Sequence, residues 1–294
     1  MKILYFLIFG IVLTACNNST ESSADDVLIE TVDDASLSNP NVKTVKEIFY
    51  NVPSPMEISS MLTKAGVSYN PEYLNSFKKV SKYTTMEEMA TNLGIYGADL
   101  SYNRLYDQIQ ESVNYFSAIK KLSDNLGIPQ DQGGNAAERL ESNLENRDSL
   151  LNIISQTYSN TDQYLKQNDR GSTAALIIMG GWIEALYIAT QIATQTEKNE
   201  SLLNSVAEQK FSLQNLIGLL SNYKDDETVA KYLLQLNTLD KAYQKVKIEQ
   251  SENKVTTDTV KGITIIDNTN EILIDNETFT EIMTIVSEIR NSII

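Results

Sequence analysis

The chain has 294 residues, 24 lysines and arginines against 39 aspartates and glutamates, and a formal charge of −15, which repels nucleic acid and anionic headgroups and makes both poor partners. It contains no histidine and one cysteine, Cys16. Those absences exclude histidine-based nucleophilic catalysis, histidine-ligated zinc or haem, and any disulfide within the chain.

Residues 1–15, MKILYFLIFGIVLTA, carry one positive charge at Lys2, an apolar run from Ile3 to Leu13 and then small residues, the anatomy of a signal peptide. The ending Leu13-Thr14-Ala15-Cys16 resembles the lipobox of bacterial lipoproteins. That resemblance implies cleavage before Cys16, acylation of its sulfur and new amine, and stable membrane anchoring through the acyl chains. Asn17 stands where many inner-membrane lipoproteins carry aspartate, so the resemblance implies the outer membrane. Residues 16–44 are rich in serine, asparagine, threonine and acid, too poor in apolar surface to offset the entropy of ordering, and are expected to form a tether. Ser23-Ala24-Asp25-Asp26 resembles the acidic export signals of surface lipoproteins in the Bacteroidota, although acid scattered through an acidic tether explains it equally well.

The folded domain is expected over 45–294. Ser54-Pro55 and Asn70-Pro71 each pair a good N-cap with a proline suited to the first helical position, and predict two short helices. Thr84 or Thr85 then opens a helical pattern running from Met86 to Leu126, closed by Gly127 and Pro129. Unbroken, it is about 60 Å long; Gly94 and Gly97 offer a bend. Leu144, Leu151, Tyr158 and Leu165 recur every seven residues, a seam shared with partner helices.

Ser172–Gln195 is the most apolar run after the leader and holds the sole tryptophan, Trp182. A helix apolar nearly all round belongs inside a bundle. Its small residues Gly181, Ala185, Ala189 and Ala193 match Ala90, Gly94, Ala98 and Ser101 upstream, and predict a close crossing with Gly94 or Gly97 near Gly180 or Gly181. Leu202–Leu220 and Val229–Ile248 read as a helical pair. The β-branched runs 263–266 and 271–274 predict a small hairpin, and Asn276 a cap for the last helix. The fold class expected is all-α: a single bundle of roughly seven or eight helices, with a small β-hairpin near 263–274.

No phosphate loop, dinucleotide fingerprint or zinc signature is present, and Asp267–Glu271 lacks the glycine and distal glutamate of a calcium loop. No catalytic residue, metal or cofactor is assigned. Glu184, on the apolar helix, needs an arginine, lysine or tyrosine partner if buried, and is otherwise a ligand-facing acid. Tyr96, Asp99, Tyr102, Asn103 and Tyr106 share one helix face that could line a groove for a small molecule or peptide, or simply edge the bundle. The whole chain resembles helical lipoproteins of the Bacteroidota, a resemblance that implies no activity. Two function classes stay open: a non-enzymatic envelope lipoprotein that is membrane-bound through Cys16 and binds an envelope protein or small ligand by its helical surface, and a carboxylate-based hydrolase.

Overall fold

The structure is a computed structural model, describing residues 66–129, single positions between 139 and 165, and 167–195, 200–250, 254–258, 263–267 and 270–294. The leader, the tether, the Ser54-Pro55 helix start and most of the 144–165 seam lie outside these residues.

The described chain enters as a strap, 66–83, carrying two 3-10 turns at Pro71–Tyr73 and Phe77–Lys82. Asn70 caps the first, its side chain accepting from the Glu72 amide. Helix α1 (Met86–Leu105) opens on Thr85, which accepts from the Glu88 amide while Glu88 accepts from the Thr85 amide. This reciprocal pair satisfies two donors left over at the helix start.

The expected long helix is instead two. α1 stops at Leu105, and α2 (Ile109–Asn125) starts after a three-residue corner. Asp107 takes a left-handed conformation (φ 54°), letting the Gln108 amide reach the Asn103 carbonyl at 2.9 Å and the Asp107 amide the Arg104 carbonyl at 3.1 Å. Those two bonds are the usual closure of a helix end. Aspartate tolerates this conformation better than most side chains, so the break needs no glycine. α2 ends in the same way on Gly127 (φ 65°). Arg170, following Asp169 (φ 58°), donates to the Leu126 carbonyl at 2.9 Å and ties the entry of the next helix to the end of α2.

Helix α3 (Gly171–Gln195) is the centre of the domain. By length and composition it could cross a membrane, yet Trp182, Met179, Ile183 and Leu176 are almost completely buried by the rest of the chain. It packs against α1, against α4 (Glu200–Ser221) and against α6 (Asn276–Asn291). α4 and α5 (Glu227–Tyr243) form the second expected pair, joined by a short turn in which Asp226 caps α5 through the Thr228 and Val229 amides. The heptad residues Val229, Leu236 and Tyr243 are fully buried, and the Tyr243 hydroxyl donates to the Val206 carbonyl.

Between α5 and α6 lie two separate two-stranded sheets. β1 (Lys247–Gln250) pairs antiparallel with β4 (Asn270–Leu273), and β2 (Lys254–Asp258) with β3 (Ile263–Asp267). The hairpin expected near 263–274 is thus larger and paired differently. β3 and β4 do not pair with each other; their partners are strands that begin at Lys247, where α5 had been expected to continue. Gln250 pairs with Asn270 and Lys254 with Asp267. The cap of α6 is Asp275, one residue before the expected Asn276; its carboxylate accepts from the Thr278 amide at 2.7 Å.

The α1–α3 crossing falls where the small residues placed it, at Gly94. A Cβ there would run into the Ile177 carbonyl oxygen and lie 2.6 Å from the Gly181 nitrogen; one on Gly180 would run into the Thr91 carbonyl oxygen. The small-residue match does not extend along both helices, since Ala98 is half-buried and Ser101 exposed. Gly97, the alternative contact, has open space around it. Gly94→Ala and Gly180→Ala should each lower stability by at least about 1–3 kcal/mol through overpacking. Gly97→Ala and Gly218→Ala, both helical with open space where the methyl would go, should raise it by about 0.5–1 kcal/mol. Urea denaturation of the four variants checks the ordering.

Candidate functional site

The face of α1 singled out by sequence looks inward. Tyr96, Asp99 and Asn103 are fully buried, Tyr102 nearly so, and Tyr106 half-buried. The strap lies across them. Tyr69 donates to the Asn103 side-chain oxygen at 2.7 Å, the Asn70 amide donates to the Tyr102 hydroxyl at 3.1 Å, and Tyr96 donates to the Ser76 carbonyl at 3.1 Å. The Tyr106 hydroxyl reaches the Val67 carbonyl at 3.4 Å. Rings fill the space between: Tyr69 stacks on Tyr102 with centroids 5.6 Å apart, and Tyr96 meets Tyr115 of α2 edge-on at 5.8 Å.

The expected groove is therefore closed. Nor does the stripe edge the bundle in water: the preceding segment covers it and supplies partners for its hydroxyls. Burial pushes the Tyr69 phenol up to about 12 and the Tyr96 phenol further, so these groups stay neutral donors.

Glu184 reaches the same interior from α3 and is fully buried. Its partner is Arg290 of α6, in a two-pronged pair: Nε to Oε2 at 2.7 Å and Nη2 to Oε1 at 2.7 Å. Arg290 Nη2 also donates to the Tyr73 carbonyl of the strap at 2.9 Å, and the guanidinium lies 4.1 Å from the Tyr187 ring centroid. Stacking and forked hydrogen bonding are what a guanidinium does better than an ammonium.

Asp99 lies against Glu184. Its Oδ2 accepts from the Asn75 amide at 3.3 Å, and its Oδ1 has no hydrogen-bond donor. Burial, and then the charge on Glu184, push the Asp99 carboxyl well above the usual carboxylate range. Asn75, also buried, donates to the Tyr83 hydroxyl at 2.9 Å and to Asn92 at 3.0 Å; Asn92 in turn donates to the Ile293 carbonyl near the C-terminus.

The structure thus brings all six candidates into one region and sets Asp99 directly beside Glu184. Sequence reading missed Arg290, Asn75, Asn92, Tyr69, Tyr73 and Tyr83. One signal was present for Arg290: it sits four residues after Val286 on the apolar stripe of α6, where a cation needs an anionic partner. The strap was expected to be a short helix from Asn70-Pro71; it forms 3-10 turns instead, whose inward residues a helical spacing does not place.

Two other features lie outside this interior. A cavity of about 420 Å³ opens between strap and α2, lined by Val80, Ser81, Tyr83, Lys121 and Asn125 among others, with Lys121 donating to the Ser81 hydroxyl at 2.8 Å. Among the described residues no three acidic or thiol side chains gather as a metal site.

No protein-family model matches the chain, and no curated protein or solved structure matches it at a significant level.

Asn75→Ala should cost about 1–3 kcal/mol or more, because it strands the buried acceptor of Asn92. Asn70→Ala removes one cap bond near solvent and should cost about 0.5–2 kcal/mol, at the low end of that range for so short a turn. Thermal melts of the two variants compare a buried with a peripheral tie of the same strap.

Proposed function

We propose that this chain is a lipid-anchored, non-enzymatic envelope protein that binds a partner protein through the outer face of α2. The observation that carries the binding face is an apolar row on that helix. Ile109 is 67% exposed, Val113 is 50% exposed, and half-buried Phe116 follows one further turn along. Positions i, i+4 and i+7 lie on one side of a helix, the geometry by which apolar anchors are offered to a partner. Among the described residues the other large exposed apolar side chains, Phe211 and Leu234, are single ones on α4 and α5, which is ordinary for a soluble surface.

The lipobox at Leu13–Cys16 supports the anchor, and Asn17 supports an outer-membrane location. The acidic balance favours a partner with a neutral or basic face. The carboxylate-enzyme alternative draws on Asp99 and Glu184, the only acids set side by side in the interior described above. Both are fully buried, and Glu184 has two hydrogen bonds from Arg290, so their chemistry is directed inward.

Two measurements test the reading. Full-length protein should fractionate with membranes and Cys16→Ala with the soluble fraction; equal partition of both contradicts the anchor. A photo-crosslinking residue placed at Ile109 or Val113 in the anchored protein should trap one discrete partner that Gln214, exposed on α4, does not trap. Equal trapping at all three positions, or none, contradicts the binding face.

A further inference from the structure

We propose that Asp99 and Glu184 share one proton, carried by Asp99, and that this proton latches the strap 66–83 over the core. The geometry leaves little else. Two fully buried carboxyl groups share one interior with one guanidinium: Arg290 holds Glu184 and the Tyr73 carbonyl, and, two residues on, the Asn75 amide holds Asp99. Arg290 gives Nε and one Nη2 hydrogen to Glu184 and the other Nη2 hydrogen to the Tyr73 carbonyl, and no hydrogen bond runs from it to Asp99. Asp99 Oδ1 has no donor, which is costly for a buried carboxylate and natural for a carboxylic acid whose own O–H points at Glu184. With Asp99 neutral, the cluster holds one anion and one cation, and its charge closes. With Asp99 ionised, two anions share one cation in a site without water-facing surface.

The other groups facing Asp99 do not supply the missing charge. The strap brings Tyr69 and Tyr83, α1 brings Tyr96 and α2 brings Tyr115, while Lys79 of the strap and Tyr187 of α3 lie on the side of Glu184 and Arg290. Burial raises the phenols of Tyr69, Tyr83, Tyr96, Tyr102 and Tyr115, so they remain neutral where Asp99 titrates. Lys79 bears on Glu184 rather than Asp99.

The strap is the element that responds, because it contacts the proton site through its backbone: the Asn75 amide on Asp99 and the Tyr73 carbonyl on Arg290. The sign follows from proton counting. The closed state holds a proton that a solvated aspartate releases near its ordinary value of about 3.9. Latching is therefore complete below that value and is lost progressively as pH rises toward the raised value of the closed state. In that window the opening constant of the strap rises about tenfold per pH unit, one proton's worth.

Two readouts test it on the folded chain. Infrared difference spectra at neutral pH should show a protonated-carboxyl stretch in the wild type that is absent in Asp99→Asn. Asparagine keeps a donor toward Glu184 and an acceptor for the Asn75 amide, so this variant should fold, and its strap should stay latched as pH rises. Hydrogen exchange of amides 70–83, corrected for intrinsic base catalysis, should accelerate about tenfold per pH unit in the wild type and stay flat in Asp99→Asn. A wild-type spectrum without the protonated-carboxyl band overturns the proposal, whatever the variant does. Equal pH dependence of strap exchange in the two proteins overturns the latch.

Discussion

The domain depends on one buried ion pair. Glu184 and Arg290 are 106 residues apart in sequence, come from α3 and α6, and meet through two 2.7 Å hydrogen bonds where water does not reach. Taking both charges out of water is expensive, and only good geometry with further hydrogen bonds offsets it. The structure meets that demand with the Tyr187 ring over the guanidinium and the Tyr73 carbonyl accepting from it. Those requirements fix where three elements go. α6 must lie on α3, and the strap must run past Arg290 with its carbonyl turned inward. The strap then closes the face of α1 that carries Tyr96, Asp99, Tyr102 and Asn103.

The α1–α3 crossing places the anion. Gly94 and Gly180 let the two backbones approach to where no side chain fits, which brings the next turn of α3, with Glu184, beside the next turn of α1, with Asp99. Close packing and charge pairing are thus coupled. A side chain wedged into the crossing would push Glu184 away from the network as well as strain the helices.

Much of this was legible in the sequence because it rests on local pattern. The buried central helix, the α4–α5 pair and the Gly94 crossing follow from apolar periodicity and from glycines that helices otherwise avoid. Glu184 also announced the need for a partner. What the pattern did not show has physical reasons. The corner at Tyr106–Gln108 was hidden because Asp107 does what glycine usually signals, while apolar spacing continues across the break through Leu105 and Ile109. The tyrosine stripe read as a groove or as the edge of the bundle, solvent-facing in both cases, since a phenol tolerates water; it is buried instead because a strap of 3-10 turns covers it. Arg290 was masked by the apolar residues around it on α6, although an arginine on such a stripe is itself a sign of buried pairing. The sheets were half seen, because β3 and β4 carry β-branched runs while β1 and β2 are largely polar and charged.

A double-mutant cycle between Glu184 and Arg290, each replaced by Met, tests the central claim most directly. It belongs in the Asp99→Asn background, where Asp99 cannot ionise and stand in for Glu184. Each single replacement leaves an unpaired buried charge and should cost about 3–5 kcal/mol. The double replacement should cost less than the sum by about 2 kcal/mol or more, since it leaves no charge unpaired. Additive costs in urea denaturation would contradict the account, because the two side chains would then not depend on one another.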